Sequence, residues 1–409
     1  MAGLSAASEQ RDQRSTDESL AELEALLETA GGVSCGVVFQ TRPTPDSRTF
    51  FGQGKVQEMK EIIEGQKCDL AVVDNELSPS QMRALSEELG VRVIDRSGLI
   101  MDIFAQRAQT REGKLQVELA QYKYLLPRLT GMWQHLVSQT GTSAPIGTRG
   151  PGETQLESDR RHIRRKIQKL EEELDQVRRV RGTQRRQREK NAVPVVALVG
   201  YTNAGKSTLL NQLTGADTQT GDRLFDTLDT TTRRLRLEEV GEILLSDTVG
   251  FIQRLPHHLV EAFKATLEEL RYADLLLHVI DASNPGWPDQ VAVVDKLIRE
   301  LGAEETPRLE VFNKSDVYTG EILPRNEDTL CVSAATGEGC DVLVRRIAEI
   351  LLKQSRRVQL RIPYPDARII DRLYKEGEVL ARRDLDDCIE LEVVASERLL
   401  GIVEGYVVG

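Results

Sequence analysis

The octapeptide Gly200-Tyr201-Thr202-Asn203-Ala204-Gly205-Lys206-Ser207 has the residue types and the spacing to hold phosphate. In a G-x-x-x-x-G-K-S run the glycines let the backbone curl until successive N–H groups point inward at phosphate oxygens. The lysine adds a cation beside the outer phosphates, and the serine hydroxyl can ligate Mg²⁺. A structural turn is the bland alternative. The apolar run Val195 to Val199 before the loop and the helix-forming Thr208-Leu209-Leu210 after it favour the phosphate loop. Three more boxes follow, each after an apolar run: Asp247-Thr248-Val249-Gly250, Asn313-Lys314-Ser315-Asp316 and Ser333-Ala334-Ala335. They fall at strand ends, where doubly wound sheets bind ligands. Asp247 is suited to hold Mg²⁺ through water, and the Gly250 N–H to sense a γ-phosphate. Asp316 offers two acceptors to the N1–H and 2-amino group of guanine, which adenine cannot match. Asn313 and Lys314 brace that loop and cover the base, and the Ala334 N–H can meet guanine O6. Four boxes in register point to GTP and GDP as the ligands.

Between the first two boxes lies Leu224-Phe225-Asp226-Thr227-Leu228-Asp229-Thr230-Thr231-Thr232, a threonine-rich loop suited to close on Mg²⁺ and the γ-phosphate and to release after hydrolysis. Spacing alone does not choose among Thr227, Thr230, Thr231 and Thr232. Phe251 follows Gly250 where many GTPases carry a water-orienting glutamine, so intrinsic hydrolysis is expected to be slow and accelerated by a partner or a monovalent cation.

The elements that position these residues form an α/β chain of several domains, since 409 residues exceed one ordinary core. No long apolar run marks a membrane span or a secretory signal, so a cytoplasmic location is expected. Five scattered cysteines without C-x-x-C spacing read as reduced thiols. Residues 1–32 read as a polar tail ending in one helix with Leu20, Leu23, Leu26 and Leu27. Residues 33–110 alternate as a small α/β domain with strands at Val33 to Phe39, Asp69 to Val73 and Val91 to Ile94. Its Gly52-Gln53-Gly54-Lys55 reads as a plain loop-to-helix turn ahead of a second phosphate site.

Residues 111–191 carry two apolar seams. Leu115, Leu119, Tyr122, Leu126, Leu129, Trp133 and Leu136 form the first; Ile163, Ile167, Leu170, Leu174 and Val177 form the second. Steps of three and four predict an antiparallel helical hairpin, with Gly141 to Gly152 as its tip and a bend or break at Pro127. Between Asp159 and Lys190 thirteen Lys/Arg face six Asp/Glu, a local +7, so the rest of the chain carries −18 of the net −11. Arg178, Arg179, Arg181, Arg185, Arg186 and Arg188 suit bidentate phosphate contacts, and RNA is favoured over mere solvation. The nucleotide-binding domain is placed at 192–354. Residues 355–409 read as a small α+β domain with apolar runs at Val358 to Ile362, Ile389 to Val394 and Ile402 to Val408.

The run Gly150-Pro151-Gly152-Glu153-Thr154-Gln155-Leu156-Glu157 with Asp159-Arg160-Arg161, the Gly200 to Ser207 box and Asp247-Thr248-Val249-Gly250-Phe251-Ile252 resemble the HflX family of translational GTPases. The resemblance covers nearly the whole chain after the tail. It implies an N-terminal HflX domain, a helical arm, a G domain, and binding to the large ribosomal subunit and its RNA in ribosome rescue, splitting or biogenesis. A monomer is expected. The resemblance favours Thr227 as the Mg²⁺ threonine beside Ser207, since the family's F-A-T-L-D falls on Phe225 to Asp229. Here Asp226 replaces the alanine, which puts a carboxylate near phosphates. Asn203 matches an asparagine used as a K⁺ ligand by relatives with K⁺-stimulated hydrolysis, so K⁺ joins Mg²⁺ as a candidate. Lys206, Thr227 and Gly250 are the expected catalytic groups. An RNA-binding or assembly scaffold with structural GTP is the alternative.

Overall fold

The computed structural model describes residues 1–6, 13–132, 151–190, 193–216, 224–225, 231–254, 259, 261, 263, 268–320, 326, 328–353 and 355–408. The chain divides into two compact units. The first comprises Met1–Asp175 with two later pieces, Arg223–Asp226 and Arg254–Phe263; the second is the remainder.

The first unit is built on a parallel sheet of order β2-β1-β3-β4, with β1 (Ala2–Ala6), β2 (Val38–Arg42), β3 (Leu70–Val73) and β4 (Arg92–Asp95). The polar tail expected at its start is instead an inner strand followed by α1 (Gln13–Thr29), with Leu20, Leu23, Leu26 and Leu27 buried. The strand is unreadable as such because Ala-Gly-Leu-Ser-Ala is short and small. Smallness is what the packing requires: a Cβ on Gly3 would stand 2.9 Å from Leu20 Cδ2. The strand expected from Val33 begins at Val38.

Helices α2 (Gln53–Gln66), α3 (Pro79–Leu89) and α4 (Arg96–Arg107) follow. Ser78 caps α3 in a capping box with Gln81, as S-P-S-Q should. Gly52 caps α2 and gives its N–H to Gln40 Oε1 at 2.9 Å, so the Gly52 to Lys55 run is a loop-to-helix turn. At the start of α4, Arg96 is buried between Asp74 at 2.8 Å and Glu22. Asp74 also accepts Ser19 Oγ at 2.7 Å and Arg254 Nη1 at 2.8 Å. Such a cluster is stable only because each charge meets an opposite one.

The seams form a helical pair, α5 (Arg111–Met132) and α6 (Pro151–Lys190), with Leu119, Leu170 and Leu174 buried together and Leu115, Tyr122 and Ile167 packed on them. Lys123–Glu171 at 3.0 Å and Lys166–Glu118 at 3.5 Å flank the seam. Of the bend or break expected at Pro127, the helix is not broken: α5 runs through it, and Arg128 Nη1 donates to Tyr124 O at 3.0 Å in the turn the proline disturbs. Trp133, Leu136 and most of the tip lie outside the described residues.

The second unit holds a six-stranded sheet of order β10-β9-β8-β5-β7-β6. Its strands are β5 (Val195–Gly200), β6 (Thr231–Leu237), β7 (Gly241–Asp247), β8 (Leu275–Asp281), β9 (Arg308–Asn313) and β10 (Thr329–Cys331). All pairs are parallel except β6 with β7. Leu198, Leu245, Leu277, Val311 and Ile347 are among its fully buried core. Helices α7 (Lys206–Thr214), α8 (Trp287–Glu300) and α9 (Cys340–Lys353) belong to it.

The last residues form an antiparallel sheet, order β12-β13-β11-β14, from β11 (Ser355–Pro363), α10 (Arg368–Glu376), β12 (Glu378–Asp384), β13 (Cys388–Ser396), α11 (Glu397–Val403) and β14 (Val407–Val408). β12 was not anticipated because Glu-Val-Leu-Ala-Arg-Arg-Asp lacks an apolar run, and most of the Ile402 to Val408 run is helical turn rather than strand.

Candidate nucleotide site

The phosphate loop joins β5 to α7, and its two fixed glycines answer to backbone geometry. A Cβ on Gly200 would lie 2.2 Å from Val279 O, and one on Gly205, at φ 88°, would lie 2.2 Å from Asn313 Nδ2. Asn203 and Lys314 also hold positive φ, 61° and 63°. Gly200, Tyr201, Thr202, Asn203, Ala204, Gly205, Lys206, Ser207 and Thr208 thus form one strand-to-helix turn. Lys206 is buried and gives its ammonium protons to Gly200 O at 3.2 Å and Tyr201 O at 2.9 Å. Burial pushes its pKa down to about 8, against the opposing pull of Asp247.

Asp247, Thr248, Val249 and Gly250 end β7 beside this loop. Ser207 Oγ donates to Asp247 Oδ2 at 2.5 Å, and Thr248 Oγ1 donates to Leu198 O at 2.7 Å. A Cβ on Gly250 would stand 2.9 Å from Thr202 Cγ2 and 3.1 Å from Lys206 Nζ, so Gly250 and the two loop residues converge on one place. The Ser207 hydroxyl and Asp247 carboxylate are hard oxygen donors in contact, the set Mg²⁺ takes alongside phosphate. Phe251 is buried at 1% exposure, its ring withdrawn from solvent.

The base-reading boxes interlock through Asn313, which donates from Nδ2 to Ala204 O at 2.9 Å and accepts the Ala334 N–H on Oδ1 at 2.9 Å. The Ala334 N–H is thereby drawn to the same asparagine that braces the phosphate loop. Asp316 is exposed at the strand end, and Ser315 N–H is tied to Val332 O at 3.1 Å. Ser333 turns the last box by accepting the Thr336 N–H at 3.2 Å, leaving Ala335 exposed. Sequence reasoning missed Asp281, which ends β8 and takes Lys314 Nζ on Oδ2 at 2.7 Å while Ser283 holds its other oxygen. Its position at the carboxyl end of an apolar strand was the available signal.

The ring of Phe225 is buried in the first unit, edge-on to Phe104 at 4.6 Å, because an aromatic side chain here finds an apolar partner. Asp226, Thr227, Leu228, Asp229 and Thr230 lie outside the described residues. Thr231 and Thr232 belong to β6, in register with Asp247 and Ser246.

Residues 195–314 match the family model described as 50S ribosome-binding GTPase, and residues 322–399 the HflX C-terminal domain. Residues 17–105 and 107–188 match the N-terminal and middle regions of a GTP-binding GTPase. A GTPase HflX of Caldanaerobacter subterraneus subsp. tengcongensis is 49% identical over 91% of this chain and 86% of its own length. The GTPase HflX of Escherichia coli K12 is 45% identical over 88% of this chain and 85% of its own. A GTP-binding protein from Sulfolobus solfataricus, solved with GDP, aligns at 24% identity and a TM-score of 0.44, covering 85% of this chain and 97% of that one. With nearly half of all residues shared along nine-tenths of its length, the chain belongs to the HflX family of GTPases.

Proposed function

We propose that this GTPase uses its nucleotide state to control docking on the large ribosomal subunit, in ribosome rescue, splitting or biogenesis. The observation that carries the reading is α6. Arg161, Arg164, Arg165, Arg178 and Arg179 are exposed on one helix of an acidic protein, a local phosphate-binding surface in a chain otherwise unsuited to polyanions. The match of residues 195–314 to a 50S ribosome-binding GTPase supports it.

In the proposed site Lys206 meets the outer phosphates, the Gly250 N–H reports the γ-phosphate, and Asp316 reads the base. The Ala334 N–H, beside the exposed Ala335, meets guanine O6. Ser207 and Thr227 would hold Mg²⁺, with Asp247 acting through water, and the ion would supply charge neutralisation at the phosphates. K⁺ rests on Asn203 alone. The domain boundaries at 111, 192 and 355 stand as our division, with residues 1–32 now counted into the N-terminal domain.

The test is GTP hydrolysis with and without large subunits. At least a tenfold stimulation, about 1.4 kcal/mol of barrier, is expected. No stimulation, with nucleotide-independent subunit binding, returns the protein to an RNA-binding scaffold holding structural GTP. Thr227→Ala should spare GDP affinity and reduce the preference for GTP; an unchanged preference moves the metal role to another threonine of the loop.

A further inference from the structure

The segment that carries Gly250 is fastened to the phosphate loop beyond the end of the sheet. Thr202 N–H donates to Phe251 O at 2.7 Å and Phe251 N–H to Gly200 O at 3.1 Å, a parallel bridge between Tyr201 and Phe251. Among the described residues no further backbone pair extends this bridge. The Tyr201 side chain, 5% exposed, extends the fastening by two residues: its hydroxyl accepts the Gln253 N–H at 2.8 Å. Arg254 then turns into the left-handed region at φ 54°, leaving the direction of the bridge. Upstream, Thr248 is tied to Leu198 O and Asp247 to Ser207. Gly250 therefore sits in a short span secured at both ends, and past the two backbone bonds at Phe251 the downstream fastening continues through one phenol.

We propose that Tyr201 is a positioning residue for γ-phosphate recognition, its hydroxyl clamping the backbone at Gln253 so that the Gly250 N–H is already held where a γ-phosphate oxygen will arrive. The proposal rests on the place given to Gly250 in the proposed site. Its physical content is entropic. A span of backbone left free in the GDP form must be ordered when GTP binds, and that cost falls on GTP alone because GDP has no group for Gly250 to meet. A phenol at the second position of the loop also gives Gln253 its role without its side chain, since the bond is to the main-chain N–H. Burial of the ring alone would be satisfied equally by phenylalanine, so the hydroxyl can be tested without disturbing the packing.

The experiment uses the full-length chain and Tyr201→Phe. Amide hydrogen exchange at Gln253 in the GDP-bound protein should quicken by about tenfold or more, as expected when a half-buried N–H loses its acceptor. GDP affinity should stay within about twofold, while affinity for a non-hydrolysable GTP analogue falls roughly five- to tenfold, since only ordering for the γ-phosphate is affected. Gln253→Ala keeps the N–H and should match the parent in both measurements. Unchanged exchange at Gln253 in Tyr201→Phe overturns the clamp. Faster exchange with an unchanged GTP-to-GDP preference, or equal losses for both nucleotides, overturns the positioning role. Protection of the Gly250 amide by the GTP analogue in the parent tests the Gly250 assignment separately.

Discussion

Asp316 is exposed at the end of β9 while its neighbour Ser315 is tied by its N–H to Val332 O, so the carboxylate is presented rather than packed. Asp316→Asn exchanges one acceptor for a donor and leaves a guanine N–H facing a like group. GTP affinity should drop by on the order of 3 kcal/mol, roughly a hundredfold, through loss of a charge-assisted bond and an unpaired donor. Xanthosine triphosphate, with an acceptor oxygen in place of the 2-amino group, should gain in the same variant; titrations with both nucleotides check it, and parent-like GTP binding refutes the base-reading role. Lys206 makes a second prediction. In the free protein burial lowers its pKa to about 8, whereas phosphate beside it favours the ammonium and raises that value. Binding then takes up a proton only where free Lys206 has lost one. Nucleotide affinity should be level below pH 8 and fall as pH rises beyond it, by up to about tenfold per unit. Calorimetry in buffers of different ionisation enthalpy should detect the proton uptake, and flat affinity to about pH 9 would set the burial argument aside.

At the scale of elements, what was legible followed from chemistry that repeats at fixed spacing. The phosphate loop, the Asn313 to Asp316 turn and the capping box at Ser78 are local, and local sequence determines them. The two heptad seams could be counted, and Leu119, Leu170 and Leu174 meet as counted. What stayed hidden depends on partners far along the chain. β1 is a strand because Val38 and Val73 flank it, the Phe225 ring packs on Phe104, and the Ala334 N–H meets Asn313 from β9. β8 illustrates the same dependence with a measurable consequence. His278 lies within it at 1% exposure, its Nδ1 without a partner among the described residues, and burial together with Arg308 lowers its pKa to about 4. A histidine at its ordinary value of 6.5 in the unfolded chain takes up a proton that the folded chain refuses. Its stability contribution is therefore complete above pH 6.5 and lost as pH falls towards 4, on the order of 3 kcal/mol in full. His278→Leu should flatten the difference in acid denaturation across that window. An identical pH slope in parent and variant would mean that His278 titrates alike in both states.

Across the whole molecule the distribution of charge sets the partner. A chain of net −11 is repelled by a polyanion at long range, and only a concentrated patch can reverse that at close range. α6 supplies the concentration: forty residues of continuous helix, about 60 Å at 1.5 Å per residue, with the local +7 between Asp159 and Lys190. Lys166 and Lys169 are drawn toward Glu118 and Glu173, whereas Arg164, Arg165 and Arg179 remain exposed cations. Ribosomal RNA is the polyanion we expect to meet them, and counterion release gives the signature. Replacing Arg185, Arg186 and Arg188 with glutamine should weaken binding to large subunits and reduce the slope of log affinity against log salt by about 0.7 to 0.9 for each phosphate no longer neutralised. GTP hydrolysis by the free protein should stay near the parent rate, because these arginines precede the nucleotide-binding residues and take no part in the loop. Exchanging Gly141 to Gly152 for an equally flexible unrelated linker should do something different: a smaller loss of affinity, with loss of any effect on ribosomes that follows docking. The pair of variants separates anchoring from action, since one removes charge along the helix and the other removes only the tip. Parent-like affinity and salt slope in both would make α5 and α6 a structural spacer and move the RNA contact elsewhere.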